Sequence, residues 1–249
     1  MVKKEDFFSE RNCVSYVSED EYAKIPPLIE AFDAVARTTY ESIYVIDYYK
    51  QNFLYVSDNP FYLCGMTARE VQELGYDFYL NFVPESEHEL LLEANRAGFQ
   101  FAEDLSPEQW KEYTISYDFH ICPPEKMPIL INHKITPLRI SPDGRIWLAF
   151  CVASLSAASS AGNIEVTNSR NEMHWVYRND RWEEERFALT KREKEVVCLL
   201  AQRATVKDIA KILYRSEDTI KLHEKRVYKK LQVKDRVGAL LAIINRKII

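Results

Sequence analysis

Residues 216–231, SEDTIKLHEKRVYKKL, constrain this chain more than any other stretch. Ser216 is a good helix N-cap, and Glu217 and Asp218 put negative charge on the first turn, where the helix dipole favours it. At about 100° per residue, Ile220, His223, Val227 and Leu231 fall on one narrow stripe, the pattern of a core face. Lys221, Leu222, Lys225, Arg226 and Lys229 fall on the opposite side. A helix that is apolar behind and cationic in front suits a major groove, where lysine and arginine meet phosphates and base acceptors. The plain alternative is a solvated basic face on an ordinary helix. The neighbouring sequence has to decide.

Charge distribution favours the first reading. The net charge is −5, yet residues 187–249 hold 16 Lys+Arg against 7 Asp+Glu, a balance of +9. The remainder holds 17 against 31, a balance of −14. A basic end on an acidic body points to a nucleic-acid partner for that end. At 249 residues there is room for two modest domains, each with its own core. The 47% hydrophobic and 29% charged shares are those of a soluble globular protein, and no apolar run reaches membrane-spanning length. The opening MVKKEDFFSE lacks the apolar run of a signal peptide. Cys13, Cys64, Cys122, Cys151 and Cys198 form no C-x-x-C pair, so reduced thiols in a cytoplasm are expected.

Taken in order, residues 21–40 read as a helix from Leu28, Phe32 and Val35, interrupted early by Pro26 and Pro27. SIYVIDYYKQNFLYVSDN reads as two strands about a turn near residues 50–52. Short helices are expected at residues 60–64 and 67–74, the second opened by a Thr67–Glu70 capping box. Residues 85–101 form a longer amphipathic helix, with Leu91, Leu92 and Ala94 inward. Strands follow at residues 113–121, 129–140 and 145–154, with SPDG as the turn between the last two. This order resembles a PAS domain, which implies a five-stranded antiparallel sheet with helices on one face. SAASSAGN is a natural linker, and HWVYRNDRW reads as a hairpin, either added to the first domain or part of the connection.

The C-terminal end has sharper punctuation. Thr190 and Glu193 form a second T-x-x-E box, with Val196, Val197 and Leu200 behind it. Thr205 and Asp208 open another helix, carrying Ile209, Ala210, Ile212 and Leu213. A turn at residues 214–216 leads into the basic helix, and a fourth starts at Asp235. Two short helices, a tight turn and a basic third make a helix-turn-helix. The run LTKREKEVVCLLAQ…TVKDIAKIL…SEDTIKLHEKRVYKKLQVKDRVGAL resembles the LuxR-type (GerE) DNA-binding domain over about residues 187–249. Two positions depart from it: Arg203, where the family ends its first helix with glycine, and Val206, where it prefers a polar residue. The resemblance implies that Lys221, Leu222 and Lys225 face the groove. It makes Thr205, Lys207, Ser216, Thr219, Lys229 and Arg236 phosphate-contacting or capping candidates, with Arg226 on the same cationic face.

Catalysis has little support. His88, His120, His133, His174 and His223 show no metal-binding spacing, and no phosphate-binding or nucleophile-elbow motif is present. His88, set in PESEHELLL, reads as a solvated residue and not a haem ligand, and Cys64 reads as a core cysteine. Asp47, ending the strand YVID, invites a phosphoacceptor reading, but the acidic pair and alternating βα units of a receiver domain are missing.

The expectation is therefore a cytoplasmic transcriptional regulator, not an enzyme and without a cofactor. An α+β PAS-like sensor or dimerisation domain spans residues 20–160, a hairpin or linker 161–186, and an all-α four-helix LuxR-type helix-turn-helix 187–249. Its expected partners are double-stranded DNA carrying an inverted repeat and a second copy of the chain, with no membrane. A small-molecule ligand in the PAS-like domain is as well supported as an unliganded interaction module. Val237, Leu240, Leu241 and Ile244 are expected in the core, leaving Ala239, Ala242 and Ile243 as the pairing surface. The alternatives are a response regulator with a divergent receiver, or an interaction protein whose basic end binds an acidic partner.

Overall fold

In the computed structural model, residues 2–168, 170, 173–185 and 189–246 are described. The expected outer limits of the C-terminal domain, Phe187 and Ile249, lie outside them. The chain divides into two compact units, Met1–Ser154 with Ala161–Glu185, and Leu155–Ser160 with Arg186–Ile249.

The first unit is built on one eight-stranded sheet. Its strands are β1 (Ser42–Asp47), β2 (Asn52–Val56), β3 (Tyr113–Ile121), β4 (Ile129–Ile140), β5 (Ile146–Leu155), β6 (Gly162–Asn168), β7 (His174–Arg178) and β8 (Arg181–Glu185). They lie in the order β2-β1-β5-β4-β3-β6-β7-β8. The expected sheet of five strands is thus corrected to eight, because β6 pairs antiparallel with β3 and carries the β7–β8 hairpin with it. In sequence β6 looks like linker: its GNIEVTN follows a run of Ser, Ala and Gly, and the alternation of Ile164 and Val166 is too brief to stand out.

Helices cover both faces. α1 (Glu19–Tyr22) and α2 (Pro26–Ala36) come first, the prolines opening α2, where a missing N–H costs nothing. Phe32 of α2 packs at 4.9 Å between ring centroids on Phe150 of β5. The other face carries α3 (Ala68–Leu74), α4 (Asp77–Phe82), α5 (His88–Glu103) and α6 (Pro107–Trp110). With both faces covered, all six residues of β1 are buried, which explains why its middle, IYVI, is apolar without a break. The Thr67–Glu70 capping box opens α3 as expected. The helix expected at residues 60–64 is instead a turn, in which Cys64 takes a left-handed φ of 52°.

The second unit holds α7 (Lys191–Ala201), α8 (Val206–Ile212), α9 (Glu217–Leu231) and α10 (Arg236–Arg246). Thr190, Thr205 and Ser216 cap the first three through their side chains. Two clusters make the core. Val196, Leu200, Ile209, Ala210 and Ile220 join α7, α8 and α9. Leu189, Val197, Val227, Leu231, Ala239, Ala242 and Ile243 join α7, α9 and α10, and Ala157 packs against this second group.

That packing overturns the faces expected for α10, with Leu240 and Leu241 half-buried between them. Ala239, Ala242 and Ile243, expected as a pairing surface, are 1–3% exposed, whereas Val237 and Ile244, expected in the core, are 66% and 65% exposed. Both sets satisfy helical spacing, so periodicity could not choose between them. The alanines face inward because small side chains let α10 approach its neighbours closely.

Candidate nucleic-acid interface

The back of α9 is locked down. Ile220 fits the α7–α8 cluster, and Val227 and Leu231 fit the α7–α10 cluster, each 2% exposed or less. His223, expected on this stripe, is only partly buried. With the helix fixed on one side, Lys221, Lys225, Arg226 and Lys229 stand exposed on the other, and Leu222 is 48% exposed among them. Lys221 lies 3.6 Å from Asp218 on a solvated surface, where such a pair is weak.

The other candidates divide by role. The Thr205 hydroxyl accepts from the Asp208 backbone N–H at 3.2 Å, and the Asp208 carboxylate accepts in return from the Thr205 N–H at 3.1 Å. Those bonds hold the Asp208 carboxyl below its usual range. Ser216 accepts from the Thr219 N–H at 3.2 Å, and the two hydroxyls are 2.8 Å apart. Thr205, Ser216 and Thr219 are therefore engaged in helix starts. Lys207 is exposed on the first turn of α8. The Arg236 guanidinium donates to the Leu200 carbonyl, tying α10 to the end of α7.

One ion pair holds α7 and α9 together. Glu193 is 3% exposed; its carboxylate accepts from Lys230 Nζ at 2.7 Å and from the Thr190 N–H at 2.7 Å. Burial works to raise this carboxyl, but Lys230 and Thr190 outweigh it and hold it below the usual carboxylate range. Of two backbone features near α9, the sequence reading singled out Arg203 and missed Tyr214. Arg203 and Tyr214 end α7 and α8 in the left-handed region, at φ 64° and 52°, and Tyr214 is 88% exposed. At Arg203 the signal was the glycine that the family places there; at Tyr214 there was none.

In the first unit, His133 is buried between rings. Its Nε2 bonds the Tyr44 hydroxyl, which in turn is 2.5 Å from the Tyr79 hydroxyl, while its Nδ1 has no partner among the described residues. Burial pushes His133 down to about 3, so the imidazole is neutral. These residues line a cavity of about 40 Å³ with Phe53, Phe119 and Ile131. No sequence pattern links them, since they come from β1, α4 and β4. His88, expected to be solvated, is buried, with Nε2 3.0 Å from the Val83 carbonyl oxygen. The acid beside it, Glu87, is not free either, but bonds His120 Nδ1 at 2.7 Å. Asp47 closes its turn, accepting from the Tyr49 and Lys50 N–H groups at 2.9 and 3.0 Å and from the Tyr22 hydroxyl at 2.6 Å. It sits in a sheet whose described pairings are antiparallel, unlike a receiver's.

Residues 188–242 match the model of the bacterial regulatory proteins of the luxR family. The spore germination protein GerE of Bacillus subtilis is 45% identical over 57 residues, 23% of this chain and 77% of that protein. The nitrate/nitrite response regulator NarP of Escherichia coli is 39% identical over 66 residues, 26% of this chain. The chain spans 31% of the length of NarP and 34% of that of YhcZ, an uncharacterised transcriptional regulatory protein of B. subtilis. Among solved structures, a VqmA dimer of Vibrio cholerae, determined without target DNA, is 17% identical, with 88% of each chain covered and a TM-score of 0.37. Through residues 188–242 and its likeness to GerE, the chain belongs to the luxR family of bacterial regulatory proteins.

Proposed function

We propose that the protein is a transcriptional regulator whose second unit binds duplex DNA sequence-selectively, with α9 in the major groove. The observation that carries this is the row Lys221, Lys225, Arg226 and Lys229, all exposed on a helix whose opposite stripe is buried. Lys221, Leu222 and Lys225, on the N-terminal half of α9, face base edges in this reading. Lys229, Arg226 and Lys207 face phosphates. DNA as partner places the protein in the cytoplasm. Among the described residues no helix is long and apolar enough to cross a membrane.

The first unit, in this reading, is a PAS-like sensor. Its strand order β2-β1-β5-β4-β3 supplies the five-stranded core, and β6–β8 are an extension. The cavity at Tyr44, Tyr79 and His133 is lined by neutral groups, and it suits a small uncharged molecule. The protein works as a homodimer on an inverted repeat, since one helix-turn-helix reads only a few base pairs. Val237, Leu241 and Ile244, spaced on one stripe of α10, are the residues we assign to pairing.

Binding should weaken linearly in log K against log salt, by about 0.9 per phosphate contact. An affinity that ignores salt would exclude the DNA reading. Lys225→Ala should relax base preference in a binding-site selection at a cost of roughly 1–2 kcal/mol, while Lys229→Ala weakens all sequences alike. Indistinguishable selections from the two variants would remove the division between base reader and phosphate clamp.

A further inference from the structure

α7 presents two stripes, and only one of them is used inside the second unit. Glu193, Val196, Val197 and Leu200 are buried. Lys191, Lys194, Glu195, Cys198 and Leu199 recur at spacings of three and four and form a second stripe, roughly 12 Å long at about 1.5 Å per residue. This second stripe and the end of α8 border an open groove of about 630 Å³. Its floor is Leu199, Leu213 and Ile212, and Ile212 is 52% exposed. A single apolar side chain on a surface is ordinary, but three that share one groove mark a place where something docks.

The rim decides the sign of the partner. Lys191 and Lys194 line it, and Glu195, the one carboxylate lining it among the described residues, is bonded by Arg192 at 2.7 Å. The groove is therefore apolar below and positive at its edge. Pockets for small molecules are enclosed and aim a few polar groups inward. This one is open, and its polar groups are charged side chains on the rim, which suits a rod-shaped partner. Nucleic acid carries the right charge but offers the apolar floor no anchors. A second copy of this unit is repelled, since residues 187–249 hold a balance of +9.

We propose that the groove docks an amphipathic helix of another protein, with apolar anchors at i, i+3 or i+4 and i+7 and an acidic flank facing Lys191 and Lys194. Among the described residues no part of α9 lines the groove, so it stays open while the cationic face is occupied. The proposal holds whether or not that face reads DNA.

The test uses the full chain with Ile and Leu methyls labelled for NMR. The probe is an acetylated peptide of about 14 residues, glutamate throughout with leucine at every third or fourth position. It should move the methyls of Leu199, Ile212 and Leu213 and leave Leu222, on the cationic face of α9, in place, with or without excess duplex DNA. Replacing its leucines by alanine should weaken it at least about tenfold, as should Ile212→Ser. Lys191→Glu, a change that suits the first turn of a helix, should weaken it about fivefold and admit the lysine counterpart of the peptide, which wild type refuses. The proposal is overturned if the three floor methyls do not move, or if Leu222 moves in their place and duplex displaces the peptide. It is also overturned if the lysine peptide binds wild type equally well, or if the floor methyls shift with protein concentration alone, which would make a second copy the occupant. The wild-type titration decides the existence of the site even if a variant fails to fold.

Discussion

Ala242→Glu is expected to unfold the second unit, not merely to separate one subunit from another. Ala242 is 3% exposed and lies in the cluster formed with Val197, Val227 and Leu231. A carboxylate there enters an apolar cluster with too little room, so it either stays charged in that core or displaces α10. The cost exceeds about 4 kcal/mol, comparable with the whole stability of so small a unit. Circular dichroism at 222 nm should show loss of that unit's helical signal and of its melting transition. Ala201→Glu, the same change at an exposed alanine of α7, is the control and should cost less than about 0.5 kcal/mol. If Ala242→Glu instead melts normally and only dissociates, the inward face of α10 has been misassigned.

The second large effect concerns Glu193 and Lys230. Lys230→Met keeps the hydrocarbon stem but leaves a carboxylate that is 3% exposed without its cation. Breaking a fully buried pair from one side costs about 3–5 kcal/mol. The Lys230 side chain is 39% exposed, which screens the interaction, so about 2–3 kcal/mol is expected, or on the order of 10 °C in Tm. The pH dependence has a definite sign. The folded-state pKa of Glu193 is depressed below the unfolded value, near 4.3. The pair's contribution is therefore fully present above that value and is lost as pH falls through the folded-state pKa. The Tm gap between wild type and Lys230→Met should be widest at neutral pH and narrow progressively below pH 4. A gap constant from pH 7 to pH 3 would show that the carboxylate charge plays no role.

The helix-turn-helix was legible because its signals are local. Thr190, Thr205 and Ser216 each sit one residue before a helix, and each caps it. The cationic face of α9 followed from spacing alone, since only one side of that helix is apolar. α10 is apolar on two sides, so its orientation was settled only by what α7 and α9 offer it. The first unit was legible in its first five strands, whose β-branched and aromatic runs are long, and illegible in β6, which has few apolar residues. Its interior polar groups were hidden for another reason. Tyr44, Tyr79 and His133 meet only once the sheet and α4 assemble. His88 misled because acids on either side of it in sequence point elsewhere on the helix.

The segment Leu155–Ser160 belongs to the second unit, while the strands beyond it return to the first. The two units are thus interleaved along the chain, and this governs the order of events during synthesis. The first unit cannot close its sheet until residue 185 has left the ribosome, because β6, β7 and β8 follow the segment given over to its neighbour. Ala157 meanwhile emerges more than 30 residues before Leu189, the first residue of the cluster against which it packs. The nascent chain carries an open sheet edge at β3 through that interval, where unpaired strand edges invite association with other chains.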